Sequence, residues 1–244
     1  MENLVGFAEM FMVRSLGTEA ISAVGISRTI VMVIGITMIA VATGTMTMVA
    51  QAVGAKNWRD ASETAKQSVT LVTAISSAIS LFGYLTSDLA LNSLSVPPEI
   101  SALAVPYLQV FFATVPLMAL QRTLDTCLHA AGDTKTPFYI SIISNISHLI
   151  AAYLLIFGIW GLPQLGVVGA AAGGVVGGVV GNICRFWALY SGRFALTLLP
   201  NTSYIPEWDR ARRLLKIGIP SALQGLFRNG SNVVYLKLIA LTAN

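Results

Sequence analysis

The sequence predicts an all-α membrane protein, a polytopic bundle of about seven transmembrane helices. Three observations predict it: few charges, long neutral stretches between them, and an uneven distribution of Lys and Arg among the connections. Of 244 residues, 55% are hydrophobic and 11% charged, against roughly a quarter charged in a soluble domain. Mean hydropathy is +0.73. Such a chain cannot cover its surface with polar groups and needs lipid to receive its apolar faces.

The charges cluster, and the intervals between clusters define the spans. Between Arg28 and Lys56 lie 27 uncharged residues, between Lys66 and Asp88 there are 21, and between Glu99 and Arg122 there are 22. Each interval is long enough to cross a hydrocarbon core of about 30 Å. From Lys135 to Arg185 the neutral run is 49 residues, about 73 Å as one helix, so it must fold back. Gly158, Gly161, Pro163 and Gly166 mark the return, with Trp160 suited to the lipid–water interface. A seventh span opens near Leu214, and a short one precedes Gly17 and reads as the end of a first helix. That first stretch has neither a basic leader region nor a small-residue cleavage site.

Basic residues near span ends are retained on the cytoplasmic side. The connections around 54–66, 131–137 and 185–216 hold ten: Lys56, Arg59, Lys66, Lys135, Arg185, Arg193, Arg210, Arg212, Arg213 and Lys216. The alternate connections hold Arg14 alone. The first set is therefore assigned to the cytoplasm. A formal charge of +4 arranged in this way reflects topology, not nucleic-acid binding. Cys127 and Cys184 lack the spacing of a zinc or redox site and read as packing residues. No metal or cofactor is expected, and no catalytic motif is found that would make the chain an enzyme.

Gly169, Gly173, Gly177 and Gly181 recur every four residues in the sixth span, the pattern of a ridge against which another helix packs backbone to backbone. Pro106 and Pro116 fall inside the fourth span and Pro220 inside the seventh, positions that bend helices. In the turn Gly132-Asp133-Thr134-Lys135-Thr136-Pro137, Thr136 is expected as the N-cap and Pro137 as the first helical residue.

At this turn the sequence resembles the multidrug and toxin extrusion (MATE) family of transporters. Val49-Ala50-Gln51-Ala52-Val53-Gly54-Ala55-Lys56-Asn57 is similar to that family's signature after its second helix, and Asn145 to Gly158 followed by Gly166 to Ala171 is similar to its fifth and sixth helices. Leu215-Lys216-Ile217-Gly218-Ile219-Pro220 resembles the start of helix seven. Family members have twelve helices in two lobes. The resemblance therefore implies a first-lobe bundle over residues 1–192 with helix one cut short, a cytoplasmic linker over 193–211, and the first helix of a second lobe over 212–244. The second lobe would be missing from this chain.

The intramembrane polar residues carry the functional expectations. Glu9 lies about 12 Å from the outer end of the first span, near mid-bilayer. A central acid costs about 2.5–3.5 kcal/mol there, so it is functional by default; the alternative is that a short helix leaves it in water. Asn145 and His148 are three apart, on one helical face, and His148 is about 17 Å from Pro137, at the depth of Glu9. His148 can carry a proton, and a helix–helix hydrogen bond is the structural alternative for both. The resemblance implies that Glu9 matches a cation-coupling acid. This chain departs from the family at His148, Ala152 and Gly174, where more oxygen ligands would be expected, which favours protons over sodium. Met10, Met38, Gln51 and Gln224 are expected to line a substrate cavity, although methionine is also ordinary helix filling. Arg122 and Asp125, three apart, are expected to pair.

The resemblance implies a cation-coupled, proton-driven antiporter that exports small organic compounds, cationic in character, across the plasma membrane. The alternatives are a lipid-linked oligosaccharide flippase of related architecture, for which a basic cavity would be expected, and a non-transporting membrane module or fragment.

Overall fold

The computed structural model describes residues 2–14, 25, 38–93, 97–161 and 163–224, the side chains of residues 2–4, 9, 13, 92 and 93 excepted. Among them are seven α-helices: α1 Glu2–Arg14, α2 Met38–Gly54, α3 Trp58–Ser93, α4 Pro98–Ala130, α5 Lys135–Phe157, α6 Val167–Tyr190 and α7 over 208–224. No strand occurs among the described residues. Helices α3 to α6 are each long and apolar enough to cross a membrane. Their outward faces are apolar, with Phe82 and Leu85 of α3 both 71% exposed, surface that only lipid accommodates.

The return within the long neutral run lies where expected. α5 ends at Phe157 with Gly158 left-handed at φ 67°, a 3₁₀ turn covers Ile159–Gly161, and α6 starts at Val167. Trp160 on this turn is 88% exposed, an interfacial position.

The two tight turns on the basic side share one device. After α2, Lys56 adopts φ 57° and the Asn57 amide donates to Ala52 O at 2.9 Å, closing the helix end; Asn57 Oδ1 then accepts the Asp60 amide at 3.2 Å and caps α3. After α4, Gly132 adopts φ 86°, the Asp133 amide donates to Leu128 O at 3.0 Å, and Asp133 Oδ1 accepts the Thr136 amide at 2.9 Å. One side chain thus follows a stopped helix and caps the next. This corrects the expected cap: α5 begins at Lys135, Asp133 supplies the capping oxygen in place of Thr136, and Pro137 sits in the first turn, where its missing N–H leaves no bond unmade.

α5 packs most extensively on α6, then α3 on α4 and α4 on α6. The glycine ridge explains the first contact. A Cβ on Gly169 would lie 2.7 Å from Ile156 N, one on Gly173 2.6 Å from Ala152, and one on Gly177 2.6 Å from His148 Cβ. Each glycine meets α5 one turn lower than the last, so the two helices run antiparallel in near-backbone contact.

The connection between α6 and α7 is docked against the bundle. Leu196 and Leu198 are buried in one cluster with Ala61 and Ala65 of α3, Leu124 and Leu128 of α4 and Leu189 of α6. Lys66, counted above among the flanking charges, lies inside α3 and is 2% exposed. Its Nζ donates to Leu199 O at 2.7 Å and Thr202 O at 3.0 Å and stands 4.9 Å from the Tyr204 ring centroid. Ser62 Oγ accepts the Leu199 amide, and Gln67 Oε1 accepts the Glu207 amide. Burial, then a hydroxyl–hydroxyl bond to Tyr190, push the Tyr204 phenol above its ordinary range, so it stays neutral. Lys66→Met keeps the stem but removes the ammonium from Thr202 O and leaves Leu199 O to the Thr202 hydroxyl and amide, and is expected to cost about 1–3 kcal/mol. Limited proteolysis between residues 193 and 207 checks it: cleavage should accelerate, and an unchanged rate would show that the ammonium does not hold the strap.

Candidate functional site

Four helices enclose a cavity of about 460 Å³. α1 contributes Val5, Phe7 and Met10; α4 contributes Tyr107, Phe111, Thr114, Met118 and Gln121; α5 contributes Ser144, Asn145 and His148; α6 contributes the small face of Ala170, Ala171, Gly174, Gly177 and Gly178. The glycine ridge builds the site. Gly177 lets α6 approach until Ser144 Oγ donates to Gly177 O at 2.7 Å. One turn away Gly174 has no side chain, and a Cβ there would be 3.8 Å from both Cε1 and Nε2 of His148. The imidazole therefore leans over a gap that a glycine leaves. Ala152, the other departure from the MATE pattern, is fully buried against Gly173.

The expected site residues are distributed as follows. Asn145, His148 and Met10 line the same cavity. Glu9 belongs to α1 beside Met10, and its side chain lies outside the described residues. Met38 is half-buried against two clusters, one containing Leu91 and Phe112 and the other Val41 and Val72, and does not line this cavity. Gln51 lines a second pocket, of about 320 Å³, at the basic end of the bundle. Gln224 is exposed at the last described position of α7 and lines neither space. Met32 of the second expected span, and Arg228 and Lys237, the basic residues within the seventh, lie outside the described residues.

Beneath the cavity, towards the basic side, lies an ion pair that charge counting missed. Arg185, placed above in a connection, is a helical residue of α6 with 0% exposure. Its Nε donates to Asp125 Oδ1 at 2.6 Å and its Nη2 to Asp125 Oδ2 at 3.0 Å and to Ser141 Oγ at 3.4 Å. Asp125 is thus held by Arg185 from α6, and the Arg122 charge, three residues away on its own helix, also acts favourably on the carboxylate. The signal was present in the spacing: Arg185 follows Gly181 by four residues and continues the ridge that faces α5. Asn182 adds a second tie, its Nδ2 donating to Leu117 O of α4 at 3.0 Å.

A cavity lined by aromatic and polar side chains between apolar helices of membrane-spanning length is an arrangement that membrane transporters use. The chain belongs to the MatE family, whose profile its residues 1–154 match. It is 29% identical over 237 residues to the uncharacterized transporter YisQ of Bacillus subtilis, covering 97% of this chain and 52% of that protein. It is 26% identical to the probable multidrug resistance protein NorM of Thermotoga maritima, covering 99% of this chain and 52% of that protein. A solved structure described as the inward-facing conformation of a multidrug resistance MATE family transporter superposes with a TM-score of 0.81 at 22% identity, over 91% of this chain and 50% of its own. The chain spans about half the length of the relatives it matches, and it is a multi-pass membrane protein.

Proposed function

We propose that the chain forms the first lobe, and the first helix of the second, of a proton-coupled antiporter that exports organic cations from the cell. The single observation that carries this reading is the cavity itself: His148 shares one space with Asn145, Met10 and the aromatic rings of Phe7, Tyr107 and Phe111. Aromatic faces attract organic cations, and methionines adapt to varied apolar shapes. Glu9, the neighbour of Met10, is assigned as the coupling acid and His148 as the group that shares or relays its proton. Entry of a proton would weaken the hold on the cation, and export would follow as the two lobes rock about the cavity. Similarity to a NorM described as a multidrug resistance protein supports a broad substrate range. No Lys or Arg among the described residues lines this cavity, whereas a basic lining would be expected of the flippase alternative.

The test is efflux of a fluorescent organic cation from proteoliposomes containing the chain within its two-lobed transporter. Under an imposed pH gradient, Glu9→Gln should reduce efflux at least about tenfold, and His148→Asn should slow it and shift its pH profile. Undiminished efflux in Glu9→Gln, or an equal response to a sodium gradient without a pH gradient, would overturn proton coupling through this acid.

A further inference from the structure

The second pocket lies outside the transport cavity. It forms where the end of α2, the start of α3 and the first turns of α7 meet. α7 reaches α2 without side chains between them: a Cβ on Gly44 would lie 2.3 Å from Leu214 O, and one on Gly218 1.8 Å from Ala40 O. This contact fixes the next turn of α7, so that Arg213 and Lys216, three apart on one face, stand over the α2–α3 turn.

The charges there are unequal in commitment. Arg210 is spent: it bonds Asp60 Oδ1, Thr64 Oγ1 at 2.9 Å and Glu63 Oε2 at 3.2 Å, and lies 3.6 Å from Glu207 Oε2. Asp60, the one carboxylate among the described residues that line the pocket, is therefore already engaged by Arg210, which it shares with Glu63 and Glu207. Arg213 and Lys216 form no ion pair among the described residues. Two uncommitted cations thus share the pocket mouth with the side chains of Gln51 and Asn57, while Met48, Ala52 and Ile217 form an apolar wall.

We infer that this pocket holds the phosphodiester headgroup of an anionic glycerophospholipid from the basic-side leaflet. The cations face the phosphate, the amides its ester and glycerol oxygens, and the apolar wall the first acyl carbons. A soluble phosphate would need the cations but not the wall. The level also fits a lipid. Trp58 and Trp208, which open α3 and α7 beside the pocket, are 48% and 77% exposed, as interfacial anchors are. A lipid seated here would bridge α7 to the α2–α3 turn. The inference concerns binding alone and does not depend on the transport reading.

Phosphatidylglycerol and phosphatidylcholine are titrated separately into the delipidated, detergent-solubilised protein, and the bound lipid is counted by native mass spectrometry. Phosphatidylglycerol should bind at least about tenfold more tightly, and Arg213→Ala with Lys216→Ala should abolish that preference. Arg59→Ala with Arg193→Ala removes the same charge outside the pocket and should change affinity less than about twofold. Excess inorganic phosphate should leave the lipid bound. Equal binding of the two lipids by the unaltered protein, equal losses in both double variants, or displacement by inorganic phosphate would each overturn the assignment. The lipid comparison and the phosphate competition need no variant, so a folding failure cannot leave the matter open.

Discussion

Arg185→Ala is expected to cost about 3–5 kcal/mol of folding stability, because it leaves a mostly buried carboxylate without its partner. The guanidinium is fully buried and bonds Asp125 through two nitrogens, so solvent does little to screen what is lost. Asp125→Ala is expected to be similarly damaging, stranding the guanidinium in place of the carboxylate. The pair removed together should behave differently. Asp125→Leu combined with Arg185→Met replaces both charges by apolar bulk and should recover most of the loss, since buried ion pairs are often no better than well-packed hydrophobic substitutes. Denaturant unfolding in detergent checks the set. A loss below about 1 kcal/mol in the single variants would place the pair in the weak class of exposed ion pairs.

Adjacent glycines of α6 provide the second large contrast. Gly177→Leu sets its Cβ 2.6 Å from His148 Cβ and 2.7 Å from Ser144 O, so a helix backbone, not a flexible side chain, has to move. Overpacking of this kind costs at least about 1–3 kcal/mol. Separation of α5 from α6 would also break the Ser144–Gly177 bond and displace His148 from the cavity. Gly178→Ala, one residue on, meets nothing closer than Leu117 Cβ at 3.7 Å. It should be neutral, or stabilising by about 0.5–1 kcal/mol through reduced backbone freedom in the unfolded chain. Thermal unfolding midpoints separate the two, and equal effects would remove the ridge as the determinant of α5–α6 packing.

What the sequence made legible follows from what is local. A neutral run of known length has few options in lipid, so the spans and the return at 158–166 were readable, as was the glycine ridge from its period of four. Helical spacing placed Asn145 and His148 on one face of the fifth span, near mid-bilayer, and the structure brings both into a cavity with Met10. The coupling role given to them is a proposal. Met38 shows the limit: its helix was legible, but which way it faces depends on how α2 sits against α3 and α4. Arg185 and Lys66 were misplaced for a shared reason. Counting charges treats every Lys or Arg as a marker of water, whereas each is buried by a partner distant in the chain, Asp125 sixty residues away and Leu199 133 residues away. The cap at Asp133 was misassigned by a smaller margin, because Thr, Asp and Pro within five residues allow more than one start for α5.

The docked strap bears on how the polypeptide is cut and how it matures. The ammonium of Lys66 is synthesised long before the carbonyls that will cage it, so the basic end of the bundle stays unfinished until the ribosome has passed residue 202. A dissection at residue 192 would discard Leu196 and Leu198 from the cluster they complete and uncover a charge in an apolar setting. An autonomous unit should therefore retain the stretch through about residue 210, which serves as the bundle's lid before it serves as a tether.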